Sequence, residues 1–107
     1  MEENFEMTFS PDAYKQMGGY VKRCRGVTIR FKIETRDGSR IQEFFAEGRR
    51  LDQAGIYKVA FVSEQGIPKK YGSNRHKTGI QAIDALKSYF SGNRTVTAEL
   101  RNTVIAV

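Results

Sequence analysis

The chain has 107 residues, 39% of them hydrophobic and 11% aromatic, which suits one domain or part of one. A formal net charge of +6 favours anionic partners, although many soluble domains carry such a charge for solubility alone. No apolar run approaches the ~20 residues that cross a bilayer, and a lone cysteine, Cys24, excludes an internal disulfide and a cysteine metal cage.

The first nineteen residues carry two weak structural signals. In residues 1–9, aromatic and methionine side chains occupy alternate positions among acids, which predicts a short edge strand or a tail that docks two aromatics. Residues 10–12 (Ser-Pro-Asp) predict the start of a short helix, with a hydroxyl cap and proline at the first helical position. Gly18 and Gly19 then end that helix.

Glycines frame a cationic stretch between residues 18 and 26. It contains Tyr20, Arg23 and Arg25. Glycine lets backbone amides approach an anion closely, and arginine offers a planar fork that suits oxyanions. The stretch therefore predicts an anion-binding loop, and an ordinary loop with solvated charges is the alternative.

Two strands joined by a tight turn follow. Val27–Glu34 alternates apolar and polar residues, which predicts a half-buried strand. Asp37-Gly38 is a hairpin turn signal. Arg40–Glu47 is predicted as the second strand, ended by Gly48 and two arginines.

The second half predicts a strand, a basic loop, a helix and a final extended segment. Ile56–Val62 is β-branched and aromatic and predicts a largely buried strand. From Thr78 to Phe90 apolar residues recur at three- and four-residue steps, which predicts a helix. Thr78 and Gln81 fit a capping box, and Gly92 fits a left-handed C-terminal cap. Residues 95–107 are predicted to be extended.

This element order predicts the α+β class: a mixed, mostly antiparallel sheet with one long helix packed on it. The sequence shows no internal repeat, low-complexity segment or linker, so residues 1–107 are predicted to form a single domain. The loop between strand and helix, Glu64–Lys77, carries Lys69, Lys70 and Tyr71 and is the most basic part of this half.

Catalytic signatures are missing from the sequence. It contains no nucleophile elbow, phosphate-binding Walker loop or dinucleotide fingerprint. His76 is the only imidazole and lies in a polar loop among cations, where a surface histidine is commoner than a catalytic one. No catalytic or metal-ligating residue is predicted in this chain, and no cofactor is expected to bind to it.

Several short motifs occur in an order that resembles one family. The chain resembles the later part of the C-terminal domain of 5'-nucleotidases. In that domain a glycine-framed segment leads into a strand, a G-x-x-L-D loop precedes a Y-x-V-A strand, and a D-A-L-x-x-Y helix follows. The matching residues are Gly18-Gly19-Tyr20, Gly26-Val27, Gly48-x-x-Leu51-Asp52, Tyr57-Lys58-Val59-Ala60 and Asp84-Ala85-Leu86-x-x-Tyr89. Residues 9–19 and Val21-Lys22-Arg23 are similar to the sulfur-oxidising thiosulfohydrolase branch, which is related to the nucleotidases.

The resemblance implies a bacterial substrate-binding domain in nucleotide catabolism or thiosulfonate chemistry. It would sit over an N-terminal metallophosphoesterase domain whose two divalent metal ions activate water. Those metal ligands are not in this chain, which would be a fragment or a stand-alone relative. A periplasmic or extracellular location is implied. Where nucleotidases carry a base-stacking aromatic and a G-G-D-G loop, this chain has residues 63–72, with Glu64 at the aromatic position and Tyr71 as an alternative stacking residue.

Three functional hypotheses remain open from the sequence. In the first, cations neutralise a small anionic substrate, a nucleotide or thiosulfonate-like molecule, while a tyrosine offers a flat apolar face. The predicted substrate-binding residues are Arg23, Arg25, Lys69, Lys70, Tyr20 and Tyr71. The alternatives are a basic nucleic-acid-binding module and an interaction module for an acidic protein, both without catalytic activity.

Overall fold

The computed structural model describes residues 1–16, 19–62, 67–92 and 95–107. These residues form the elements α1 (Glu2–Phe9), β1 (Val27–Phe31), β2 (Ile41–Ala46), β3 (Arg49–Arg50), α2 (Ala82–Gly92) and β4 (Val104–Ala106). The chain divides into two compact units: unit 1 is Met1–Gly55 with Leu100–Val107, and unit 2 is Ile56–Glu99.

Unit 1 is built on a four-stranded sheet in the order β3-β2-β1-β4. β1 pairs antiparallel with β2, and β2 pairs antiparallel with β3. β4 lies on the other side of β1 and runs parallel to it. The predicted α+β class with a mixed, mostly antiparallel sheet is therefore confirmed.

The first hairpin forms where the sequence predicts it. β1 and β2 lie within the predicted strands, and Ile29 and Phe31 are buried as the alternation requires. Gly38 takes a φ of +74°, and the Ser39 amide donates to the Arg36 carbonyl at 3.2 Å. The turn thus uses the left-handed backbone that glycine adopts without steric cost.

A second hairpin corrects the prediction that the strand simply ends at Gly48. Glu47 and Gly48 have φ values of +50° and +77°, and Ala46 pairs with Arg49 across them. Two consecutive left-handed residues joining paired strands are the type I′ hairpin turn. The arginines that were predicted to end the strand therefore form β3.

The N-terminal segment forms a helix, so the predicted edge strand is wrong. α1 packs on the sheet through Phe5, which is 0% exposed and whose ring stacks on Phe31 with centroids 4.3 Å apart. Phe9, one helical turn later, lies 5.5 Å from the same ring. The two phenylalanines do dock, but at the i, i+4 spacing of a helix face. Phe5, Ile29 and Phe31 form the centre of the core, and Phe9 packs against it.

Carboxylates on α1 bind the backbone of the first hairpin turn. The two Glu2 oxygens accept the amides of Arg40 and Ile41 at 2.6 and 3.0 Å. Glu6, one turn later, accepts the Gly38 amide through Oε1 at 2.9 Å. Because Glu2 and Glu6 are also four residues apart, α1 presents an acidic stripe to the turn beside its aromatic stripe.

Arg40 is a buried cation at this contact, with a side chain that is 1% exposed. Its Nε lies 3.1 Å from Glu6 Oε1 and its Nη2 lies 3.4 Å from Asp37 Oδ1. Its Nη1 donates to the Ile33 carbonyl. The second Glu6 oxygen, Oε2, is buried without a hydrogen-bond partner among the described residues. The arginine therefore balances a carboxylate whose side chain is only 15% exposed.

Ser10 ends a helix and does not begin one, contrary to the prediction for residues 10–12. It is the C-cap of α1, with φ −61° and ψ 134°, and its amide donates to the Glu6 carbonyl. Only a single turn follows, in which the Lys15 and Gln16 amides donate to the Asp12 carbonyl. The backbone of Ser10 is extended, which is the conformation favoured before the proline that follows it.

Asp37 and Lys15 form an exposed ion pair beside this network. The Lys15 ammonium donates a hydrogen bond to the Asp37 carboxylate at 2.5 Å, and this bond holds the pKa of Asp37 below its ordinary value of 3.8. The same bond raises the pKa of Lys15 above 10.5. The stabilisation from Asp37 is present above its unfolded pKa and is lost as pH falls through its folded pKa. That from Lys15 is present below 10.5 and lost as pH rises through its folded pKa.

We expect Lys15→Gln to raise the pKa of Asp37 back toward 3.8, because the variant removes the main cause of the shift. The measurement is an NMR titration of the Asp37 side-chain carboxyl carbon. Lys22→Gln removes an equal charge elsewhere in unit 1 and serves as the control. An unchanged Asp37 pKa in Lys15→Gln would contradict the assigned partner.

Unit 2 differs more from its prediction. Ile56–Val62 pairs with no strand among the described residues and its apolar side chains are exposed, so the predicted buried strand is wrong. The helix is shorter than predicted: α2 begins at Ala82 and none of its residues is buried. Gly79 has a φ of +73°, which cannot continue a helix toward Thr78. Thr78 Oγ1 instead accepts the Ile80 amide at 3.3 Å, so the capping box is also wrong.

Gly92 is the last residue of α2 and is not among the glycines with positive φ, so it is not a left-handed cap. The apolar C-terminus is extended as predicted, because it contains β4, which pairs with β1. Gly18, Glu64 and the predicted turn at Asn93 lie outside the described residues. No helix among the described residues is long and apolar enough to span a bilayer.

Candidate anion-binding site

The cationic segment, defined here as residues 20–26, is fixed to unit 1 at both ends. Asn4 on α1 donates from Nδ2 to the Tyr20 carbonyl at 3.1 Å, and its Oδ1 accepts the Lys22 amide at 2.8 Å. At the other end the Gly26 carbonyl accepts the Glu47 amide at 2.9 Å. The backbone is thus held by hydrogen bonds to the neighbouring helix and hairpin.

The side chains of the cationic segment divide between the core and the surface. Val21 is half-buried and packs against the core. Tyr20 is 93% exposed, and Lys22, Arg23 and Arg25 are exposed as well. This division follows from the anchors, because a backbone fixed on either side of Val21 directs its neighbours outward. Three cations and an aromatic ring are therefore presented to solvent.

These cations are available for an anion. Lys22, Arg23 and Arg25 form no ion pair with any residue that the structure describes. An anion bound here would not compete with a carboxylate already in place. Each arginine can donate two parallel hydrogen bonds to a phosphate, sulfonate or carboxylate group.

Unit 2 contains the second group of predicted residues, in the basic turn, defined here as residues 67–75. Arg75 closes this turn. Its guanidinium donates to the carbonyls of Ile67 at 2.9 Å, Pro68 at 2.6 Å and Tyr71 at 2.5 Å. Its Cζ also lies 5.1 Å from the centroid of the Phe61 ring. Arg75 is therefore structural, and its charge is directed into the turn and not toward a ligand.

Within the basic turn, Lys70 and Tyr71 contact each other. Lys70 Nζ lies 5.0 Å from the centroid of the Tyr71 ring, a cation–π geometry. The Tyr71 side chain is partly exposed, at 41%. Lys69 is exposed on the same turn. The predicted residues Lys69, Lys70 and Tyr71 are thus brought together locally.

The structure places the predicted residues in two groups, one in each unit. Tyr20, Arg23 and Arg25 share the cationic segment of unit 1, and the other three share the basic turn of unit 2. Two supporting residues were not predicted: Asn4, which anchors the cationic segment, and Arg75, which closes the basic turn. Asparagine and arginine occur throughout the sequence, so only the fold distinguishes these two.

Among the described residues, no group of three or more His, Cys, Asp or Glu side chains is arranged to hold a metal ion. His76 is exposed, and the Cys24 thiol is a free, partly buried group whose nearest acceptor is the Lys22 carbonyl at 3.9 Å. The cationic segment and the basic turn offer groups suited to binding an anion, namely cationic side chains and tyrosine rings.

The resemblance of this chain to the 5'-nucleotidases rests on short motifs. A resemblance carried by short motifs depends on their order and spacing along the chain. Comparison of the chain with family models, with curated proteins and with solved structures finds no match.

Proposed function

We propose that this chain is a substrate-binding domain that holds a small anion for a metal-dependent hydrolase of the 5'-nucleotidase or thiosulfohydrolase type. Its fold would correspond to the later part of the C-terminal domain in that family. The catalytic domain, with its two divalent ions, would be a separate N-terminal metallophosphoesterase domain. This chain contributes electrostatic binding and no catalytic group.

One observation carries the binding part of this proposal. Asn4 and Gly26 fix the backbone of the cationic segment, while Arg23 and Arg25 extend from it without carboxylate partners among the described residues. A fixed backbone reduces the conformational entropy that a loop loses when it binds a ligand. Solvated charges kept only for solubility do not need such anchors.

The order of the sequence motifs carries the hydrolase part. The glycine-framed segment, the Leu51-Asp52 loop, the Tyr57–Ala60 stretch and the Asp84–Tyr89 helix follow each other as in the family. The third of these is not a strand in the structure. The test is the class of domain that the gene encodes upstream of this chain. A metallophosphoesterase domain there supports the hydrolase part, and a domain of another class overturns it.

The binding test is an NMR titration of the ¹⁵N-labelled chain with AMP, inorganic phosphate and thiosulfate. We expect amide shifts in residues 20–26. Arg23→Gln and Arg25→Gln are each expected to weaken binding about tenfold or more, because each removes a charge-assisted hydrogen bond. Arg101→Gln removes an exposed arginine of the same unit that lies outside the segment, and it should leave the affinity unchanged.

Two results would overturn the proposal. One is an absence of shifts at residues 20–26 with all three anions at millimolar concentration. The other is equal weakening by Arg101→Gln, which would mean diffuse attraction to net charge. Binding of a single-stranded oligonucleotide without binding of the small anions, with log affinity falling linearly in log salt, would select the nucleic-acid alternative.

A further inference from the structure

The face of the sheet that points away from α1 carries its own cluster of charges. Arg30 is paired with Glu43 across β1 and β2, and Phe45 is paired with Arg50 across β2 and β3. Ile29 and Phe31, the neighbours of Arg30 in sequence, point to the core. Alternate residues of a strand point to opposite faces of the sheet, so Arg30 points to the outer face. Arg30, Glu43 and Arg50 therefore share the outer face.

This outer face is concave. The concavity has a volume of ≈ 390 Å³, and we name it the sheet-face concavity; it is lined by Arg30, Lys32, Gln42, Glu43, Arg50 and Val107. All six residues belong to unit 1. The volume is near the lower end of the range for small-molecule sites, roughly 300–1,000 Å³, so it suits a small ligand better than a polymer.

The charges in the concavity are unbalanced. Its lining has three cationic side chains, those of Arg30, Lys32 and Arg50, and one carboxylate side chain, that of Glu43, whose Oε2 lies 3.5 Å from Arg30 Nε. Both members of this pair are partly exposed, at 53% and 37%. Lys32 and Arg50 form no ion pair with any described residue. Cationic side chains thus outnumber carboxylate side chains in the concavity, which favours an anionic ligand.

The hydrogen-bonding groups of Arg30 and Gln42 indicate which class of anionic ligand would fit the concavity. Glu43 engages Arg30 through Nε and leaves the two terminal guanidinium nitrogens for a ligand oxygen pair. The Gln42 amide nitrogen already donates to the Ser39 carbonyl at 2.9 Å, so its carbonyl oxygen is the atom left to accept from a ligand hydroxyl. A molecule with an anionic group on one side and a hydroxyl group on the other fits this arrangement.

We propose that the sheet-face concavity binds a phosphate monoester of a small hydroxylated molecule, such as a sugar phosphate. Arg30 and Arg50 hold the phosphate oxygens, Lys32 adds charge, and Gln42 accepts from a hydroxyl. The site shares no residue with the cationic segment, so it stands whether or not the proposed function holds.

The chain offers a matched pair of variants to test this site. Arg49 and Arg50 are adjacent on β3, but Arg49 pairs with Ala46 and does not line the concavity, whereas Arg50 does. Arg50→Gln should weaken ribose 5-phosphate binding about tenfold or more. Arg49→Gln makes the same charge change and should leave the affinity unchanged.

The readout is an NMR titration of the full chain with ribose 5-phosphate, with inorganic phosphate as a second probe. We expect amide shifts at residues 30–32, 42–43 and 50, and tighter binding of the ester because of the Gln42 contact. Lys32 also lines the concavity but lies outside the strands, so Lys32→Gln tests the same site if Arg50→Gln fails to fold. Equal effects of Arg49→Gln and Arg50→Gln, shifts only at residues 20–26, or no shifts at millimolar ligand would each overturn the proposal.

Discussion

Arg40→Met is expected to lower the free energy of unfolding of unit 1 by about 3–5 kcal/mol, because it leaves the buried Glu6 carboxylate without its cation. Glu6 already has one buried oxygen without a hydrogen-bond partner among the described residues. Domains of this size have total stabilities of about 5–15 kcal/mol, so the variant would be only marginally folded. Hydrogen exchange of the Ile29 amide, which donates to the Thr103 carbonyl, reports unit 1 alone.

Two further variants separate lost charge balance from lost packing. Arg40→Lys keeps the charge but lacks the planar fork, and we expect it to lose less stability than Arg40→Met. The double variant Arg40→Met with Glu6→Gln removes both charges and should recover part of the loss. Equal losses for the single and double variants would show that Glu6 does not depend on Arg40.

Phe5→Ala is expected to destabilise unit 1 by about 3–5 kcal/mol, the cost of removing a fully buried aromatic ring and leaving a cavity. Phe5 is 0% exposed and stacks on Phe31, so the loss includes this ring contact. The measurement is urea unfolding followed by the intensities of β1 amide resonances. We also expect α1 to lose its helical chemical shifts before the sheet unfolds.

The control for Phe5→Ala is Met7→Ala on the same helix. Met7 is 36% exposed, whereas Phe5 is fully buried, so truncation of Met7 should cost about 1 kcal/mol or less. Similar costs for the two variants would show that α1 is not docked through Phe5. The hydrogen bonds of Glu2, Asn4 and Glu6 would then hold the helix in place.

The parts of the fold that could be predicted depend on signals within a few residues. The alternation in Val27–Glu34 and the Asp37-Gly38 turn predicted the first hairpin correctly, because pairing partners joined by a tight turn are close in sequence. Glu47-Gly48 carries a weaker version of the same signal, and the second hairpin was missed.

The parts that could not be predicted depend on distant partners. Residues 1–9 fit two periods, since Phe5 and Phe9 are compatible with alternation and with one helical turn, and only docking on Phe31 decides between them. Ile56–Val62 has strand composition, yet composition supplies no neighbour to pair with. The burial of Arg40 depends on carboxylates more than thirty residues away on α1.

The candidate site shows the same division. The cationic stretch and its exposure could be predicted from glycines and charges, which are local features. Its anchor on Asn4 and the sheet-face concavity could not, because both arise from register and docking between elements that are far apart in the chain.

α1 contacts two separate parts of unit 1. Through Glu2 and Glu6 it holds the first hairpin turn, and through Asn4 it holds the cationic segment. One short helix thus stabilises both, and its undocking would remove the Asn4 anchor of the cationic segment together with the carboxylate contacts of the hairpin turn. By thermodynamic reciprocity, an anion that prefers the fixed segment would also strengthen the hairpin, and loosening the hairpin would weaken the anion's affinity.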